Sequence, residues 1–200
     1  MITGLSLSDV TLRRGGRLLF AGLSFQIQAG EAAALTGRNG AGKTSLLRAV
    51  AGLVGLEAGR IEFGGADPGE ARARGLHLAG HLDGLKPART AREELAFWSA
   101  WFGGKSAQAE EAIERLALGP LLDLEVRRFS AGQKRRLALA RLIAAPRPLW
   151  LLDEPASPLD AEWRVRFGTI MAEHLAGGGL IVAASHDPLP IPARAVEIGE

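Results

Sequence analysis

The stretch GRNGAGKT, residues 37–44, constrains this chain more than any other. A short apolar run, EAAALT (31–36), precedes it, and KTSLLRAVAGL (43–53) follows, with Leu46, Leu47, Val50 and Ala51 on one helical face. A glycine-rich loop between a strand and a helix start fits G-x-x-x-x-G-K-[ST] in the context that gives the pattern meaning. Where Gly37, Gly40 and Gly42 carry no Cβ, backbone N–H groups can close around phosphate oxygens. Arg38, Asn39 and Ala41 complete the loop, and Ser45 lies in the first helical turn. The expectation is a nucleotide site, with Lys43 as a point charge at the β- and γ-phosphates and the Thr44 hydroxyl as a Mg²⁺ ligand. The plainer alternative, a glycine-rich turn, does not require the strand before it and the helix after it.

A second helix start of the same kind stands far along the chain. In FSAGQKRR (129–136), the turn Ser130-Ala131-Gly132 opens onto a helix expected over Gln133 to Ala144. A Ser hydroxyl with bare amides at a helix start is an anion site. One nucleotide needs only one such start.

Apolar runs elsewhere deliver polar residues to strand ends. PLWLLDEP (148–155) reads as a buried parallel strand, whose carboxyl end faces the crevice where ligands bind in such sheets. There Asp153 can hold Mg²⁺, often through water, and Glu154 can orient or deprotonate an attacking water. AASH (183–186) repeats the arrangement with His186, placed to contact the γ-phosphate and the water. Each of these alone is more simply a solvated strand end; beside the glycine-rich loop the functional reading gains. Residues 4–29 alternate as a hairpin broken at RRGG (13–16), GRIEFGG is another strand, and AVEIG a last edge strand. Residues 86–145 are helical in character, and Pro146 ends the last helix. The fold expected is α/β: a parallel sheet with an antiparallel N-terminal β-subdomain and an inserted helical subdomain. The 200 residues read as a single domain, with a core over about 1–85 and 146–200 and the helical part over about 86–145.

Composition excludes some classes. A net charge of +2 makes no electrostatic case for nucleic acid. There is no Cys, hence no disulfide or thiolate metal site. The N-terminal MITGLSLSDVTL lacks the pattern of a signal peptide, and no run approaches the roughly 20 apolar residues of a membrane span. Any service to a membrane is expected from its side.

The glycine-rich loop, SAGQ, LLDEP with SPLD (157–160), and the strand-end His186, in that order, resemble the ATP-binding subunits of ABC transporters over about residues 37–187. The resemblance implies ATP and Mg²⁺ as ligands and a head-to-tail homodimer. In it Ser130, Gly132 and Gln133 of one subunit cover the γ-phosphate held by the loop of the other, so the second helix start serves the partner's ATP. Two departures stand out. The aromatic residue that many members stack on adenine is missing from VTLRRGG; Arg14 is the nearest substitute, either stacked on the base or simply a surface hairpin residue. The Gln that most members carry at the joint of core and helical lobe is absent from LAGHLDGLKP (78–87), leaving His81, Leu82 or Asp83 in its place.

GHLDGLKP, TAREELAFW, FSAGQKRR and LWLLDEP together are similar to the ATPases of bacterial cytochrome c maturation, the haem-exporter branch of the family. That similarity implies integral membrane subunits of the cytochrome c maturation complex as partners and a peripheral position on the cytoplasmic face of the bacterial inner membrane. It also implies use of ATP to release a haem-loaded chaperone. No haem site of the chain's own is expected, since it has no Cys-x-x-Cys-His and no paired axial ligands. In AFWSAWF (96–102), Phe97, Trp98, Trp101 and Phe102 share a helical face that is either the packed face of the helical lobe or a groove for a membrane subunit's loop. The alternatives are another small ABC exporter, a soluble ABC ATPase acting on nucleic acid or ribosomes, and a regulator that binds nucleotide without hydrolysing it.

Overall fold

Two apolar runs become the middle of a parallel sheet. In the computed structural model, which describes residues 2–199, LWLLD forms β6 (Leu149–Asp153) and LIVAA forms β7 (Leu180–Ala184), and every residue of both is buried. Alternation is hidden in these runs because both faces of the sheet are covered. Leu149, Leu151, Leu180, Val182 and Ala184 face one core; Trp150, Leu152, Ile181 and Ala183 face the other. With β3 (Ala32–Thr36), β5 (Leu76–Ala79) and β8 (Arg194–Glu197) they make a five-stranded, all-parallel sheet in the order β5-β6-β7-β3-β8.

A second, antiparallel sheet covers the first core. It is β1 (Gly4–Arg14) between β2 (Arg17–Gln28) and β4 (Ala58–Gly64). The β1–β2 turn places Gly15 and Gly16 at positive φ, as a two-residue hairpin requires. Helices α1 (Lys43–Val50) and α2 (Pro68–Arg74) border this core.

On the other face lie α3 (Ala91–Phe102), α4 (Ser106–Arg115), α5 (Ala131–Ala144) and α6 (Ala161–Ala176), with single 3₁₀ turns at Gly119–Leu121 and Val126–Arg128. Both α3 and α4 pack on α5. Ends are set locally: Thr90 with Glu93 and Ser130 with Gln133 form capping boxes, and Asp160 caps α6. The α/β architecture expected from the sequence is the one formed, with AVEIG as the edge strand β8. Two elements, α2 and β5, go beyond those read from the sequence, and α5 begins at Ala131 rather than Gln133, because the Ser130 cap draws Ala131 and Gly132 into the first turn.

Candidate nucleotide site

Strand order brings the chemistry together. β6, β7 and β3 are neighbours, so their carboxyl ends lie side by side. β3 runs into the glycine-rich loop, β6 ends at Asp153, and β7 ends just before His186. Between them opens a cleft of about 690 Å³ lined by Asn39, Gly40, Gly42, Lys43, Thr44, Ser45, Asp153, Glu154 and His186, with Arg14 and His81 on its walls.

The loop's glycines serve two purposes. Gly42, at φ 114, has the left-handed conformation that turns the chain into α1, and a Cβ there would press on Phe20 and Leu19. Gly37 also lies at a positive φ, 123°, and a Cβ there would in addition collide with the Ile198 carbonyl. Lys43 Nζ donates to the carbonyls of Gly37 at 2.6 Å and Arg38 at 3.3 Å, which holds the ammonium against its own loop. Of the loop residues named from the sequence, Gly37, Arg38 and Ala41 are not on the cleft wall.

Thr44 Oγ1 donates to the Asp153 carboxylate, 2.9 and 3.1 Å from its two oxygens. Asp153 is buried. A hydroxyl and a carboxylate in contact form a hard, all-oxygen pair, the donor chemistry that suits Mg²⁺. Among the described residues no group of three or more His, Asp or Glu is placed to hold a metal by itself. Mg²⁺ fits such a sparse donor set, because it keeps several waters and takes phosphate oxygens as ligands.

Glu154 follows directly. Its φ of 49° is left-handed, its N–H donates to the Ala184 carbonyl at 2.8 Å, and its carboxylate lies 3.6 Å from His186 Nε2. At the joint, His81 lines the cleft, Leu82 is 83% exposed, and the Asp83 carboxylate pairs with Arg135 at 3.0 Å. His81 is therefore the joint residue on the cleft wall. Arg14 also lies on the cleft wall, beside Leu19.

The second helix start does not reach this cleft: Ser130, Gly132 and Gln133 are absent from its walls. The Ser130 hydroxyl is engaged as an acceptor and keeps its own hydrogen to donate. Its oxygen accepts from the Gln133 amide at 3.2 Å while Gln133 Oε1 accepts from the Ser130 amide at 2.8 Å. These capping bonds leave out the Ala131 and Gly132 amides. The aromatic stretch is a surface: Phe97 is 39% and Trp101 71% exposed, with Trp98 and Phe102 half-buried beneath them. Arg89, Arg141 and Arg147 lie over the rings of Phe97, Trp98 and Phe102. A cavity of about 490 Å³ beside it is lined by Arg74, Trp101, Phe102 and Arg147. Of the other cleft residues, Ser157 opens the SPLD motif and Asp187 follows AASH, the available signal, whereas Leu19 and Arg48 carry none in the sequence.

Residues 20–157 match the ABC transporter family model. The chain is 51% identical over 186 residues to the cytochrome c biogenesis ATP-binding export protein CcmA of Rhodopseudomonas palustris (strain BisB5), covering 93% of each chain. It is 47% identical to the CcmA of Bradyrhizobium diazoefficiens, again over 93% of each, and 45% identical to that of Rhodospirillum rubrum, over 94% of this chain and 82% of the relative. An ABC transporter ATP-binding protein from Pyrococcus furiosus superposes with a TM-score of 0.86 at 18% identity over 98% of both chains. A bacterial Atm1-family ABC exporter with ATP bound matches with a TM-score of 0.81 at 24% identity, over 93% of this chain and 35% of the exporter.

Proposed function

The chain belongs to the ABC transporter ATP-binding family, alongside the cytochrome c biogenesis ATP-binding export proteins, and from that premise we propose that it is the ATPase of a cytochrome c biogenesis export system. The observation that carries the mechanism is the cleft in which Lys43, Thr44, Asp153, Glu154 and His186 meet while the Ser130 helix start stays outside it.

In this reading the triphosphate lies along the Gly37–Ser45 loop, with its charge met by the backbone amides and by Lys43, freed from its own loop carbonyls. Arg14 and Leu19 border the base. Thr44 and Asp153 would hold Mg²⁺, which neutralises phosphate charge when bound. Glu154 orients a water and takes its proton as the water oxygen bonds to the γ-phosphorus and the bond to the bridging oxygen breaks. His186, beside Glu154, steadies the water and the γ-phosphate. The Ala131 and Gly132 amides of a second, head-to-tail copy close over the γ-phosphate. The Ser130 hydroxyl, its oxygen oriented by the Gln133 amide, donates its hydrogen to the same phosphate, and Gln133 shapes the helix start.

The dimer is the motor, and its load sits at the membrane. No helix among the described residues is long and apolar enough to cross a bilayer. The exposed aromatic face and the cavity beside it suit a loop of an integral membrane subunit of the cytochrome c maturation complex. The chain then works peripherally, on the cytoplasmic face of the bacterial inner membrane, and its ATP turnover drives release of the haem-loaded chaperone. The test is Glu154→Gln: ATP affinity holds, turnover falls by about 10²-fold or more, and an ATP-bound dimer accumulates. Near-normal turnover by this variant would remove Glu154 from the role.

A further inference from the structure

Arg135, on α5, is 1% exposed and spends every N–H of its guanidinium inside the protein. Its Nε donates to the Pro155 carbonyl at 3.0 Å. Its Nη1 donates to the Gly80 carbonyl at 2.9 Å and to Asp83 Oδ1 at 3.0 Å. Its Nη2 donates to the carbonyls of Asp153 at 3.0 Å and Glu154 at 3.1 Å. An arginine has five such donors in a fixed planar fork, and no other side chain can repeat the pattern.

Three of the acceptors are successive residues. In a regular strand, neighbouring carbonyls point to opposite sides, so Asp153, Glu154 and Pro155 cannot all face one group unless the backbone turns between them. The turn is at Glu154, whose φ of 49° lies where non-glycine residues stay only when their surroundings hold them. The guanidinium faces that turn from below while the Glu154 side chain faces the cleft above. Asp83 supplies the countercharge. Its backbone carbonyl lies 3.5 Å from Nη2 of Arg141, which stands over Trp98 of the aromatic face. Burial and the repulsion of Arg135 lower the pKa of Arg141 to about 10, so Asp83 stands between two buried cations.

We infer that Arg135, neutralised by Asp83, is a positioning residue for ATP hydrolysis: it fixes the left-handed turn that aims Glu154 at the water. The inference rests on the proposed role of Glu154. It touches neither nucleotide nor water itself, so its loss acts on turnover and not on binding.

The test compares the full-length chain with Arg135→Lys, Asp83→Asn and Glu154→Gln in ATP turnover, ADP titration and thermal unfolding. A lysine has too few donors for the five acceptors. Arg135→Lys is expected to lower kcat by about 10- to 100-fold, the cost of a small misplacement of a catalytic group, and to leave ADP affinity within about twofold. Asp83→Asn is expected to lower kcat by about threefold or more with ADP affinity again unchanged. A folded Arg135→Lys variant with parental kcat overturns the inference. So does one in which kcat, ADP affinity and melting temperature fall together, the mark of a merely structural role. If Arg135→Lys does not fold, Asp83→Asn decides alone: parental kcat refutes, and reduced kcat with intact ADP binding supports. Unimpaired turnover in Glu154→Gln strikes the proposed mechanism itself, whereas a slow Glu154→Gln beside a normal Arg135→Lys strikes only this inference.

Discussion

Acid should unfold this protein in part through one histidine remote from the nucleotide cleft. His77, in β5, is 1% exposed and packs edge-on against Phe102 with 4.7 Å between ring centroids. Its Nε2–H donates to the Ala145 carbonyl at 2.7 Å, and its Nδ1 has no partner among the described residues. Burial, opposed in part by the Ala145 bond and aided by nearby Arg147 and Arg141, lowers its pKa to about 3 from the ordinary 6.5. The folded chain therefore binds fewer protons at this site than the unfolded chain. Stability drains away as pH falls through 6.5 and goes on falling towards 3. With each pKa unit worth about 1.4 kcal/mol, going from pH 7.5 to pH 5 removes about 2 kcal/mol through His77 alone. At a urea slope of about 2 kcal/mol per M, the midpoint drops by roughly 1 M. The control is His77→Gln, whose amide can still donate to Ala145 but does not titrate. Urea unfolding without nucleotide should give the parent an acid loss about 2 kcal/mol larger than the variant's. His174, also lowered by burial, and the carboxylates cancel in that difference. Equal acid losses in parent and variant would refute the reasoning.

Two further changes separate surface from core. Trp101→Ala should leave unfolding within about 0.5 kcal/mol of the parent, as for an exposed residue, yet reduce recovery with membranes when the chain is co-expressed with its membrane subunits. Trp98→Ala removes the bond from Nε1 to the buried Glu94 and the surface under Arg141, so it should cost about 1–3 kcal/mol in stability as well. Membrane recovery unchanged in both would assign the aromatic face to some other purpose. Arg14→Ala should weaken ATP and ADP equally, by about 0.5–1 kcal/mol in titration, if the guanidinium stacks on the base; unchanged affinity returns Arg14 to the hairpin surface.

The sequence displayed its chemistry where the reacting residues are contiguous. GRNGAGKT, LLDEP and AASH each carry a strand and the polar residues at its end, so the cleft could be assembled on paper once the strands were taken as parallel. α2 and β5 escaped because residues 65–79, GADPGEARARGLHLA, hold a short Arg- and Ala-rich helix and a four-residue strand, with too few apolar positions to set a period. The Arg135–Asp83 pair escaped for another reason. Arg135 stands between Lys134 and Arg136 in a basic run that reads as solvated, and only packing shows which of the three is buried. Its partners lie on segments distant in sequence, and no periodicity marks them. The aromatic stretch showed its helical face but not its exposure, since a helix states which residues align and not what covers them.

The central claim is that each cleft is half a site, completed by the Gly132 helix start of a second copy. Linked heterodimers test it most directly, by single-turnover hydrolysis with one subunit carrying Lys43→Ala and the other Gly132→Asp, against dimers with both changes in one subunit. Lys43→Ala removes a phosphate-binding charge, and Gly132→Asp sets a carboxylate against the γ-phosphate. If the helix start acts across the interface, the split arrangement gathers both defects in one site and leaves the other whole, so it hydrolyses ATP, while the same-subunit arrangement spoils both sites. Hydrolysis only by the dimer with both changes in one subunit would contradict the account.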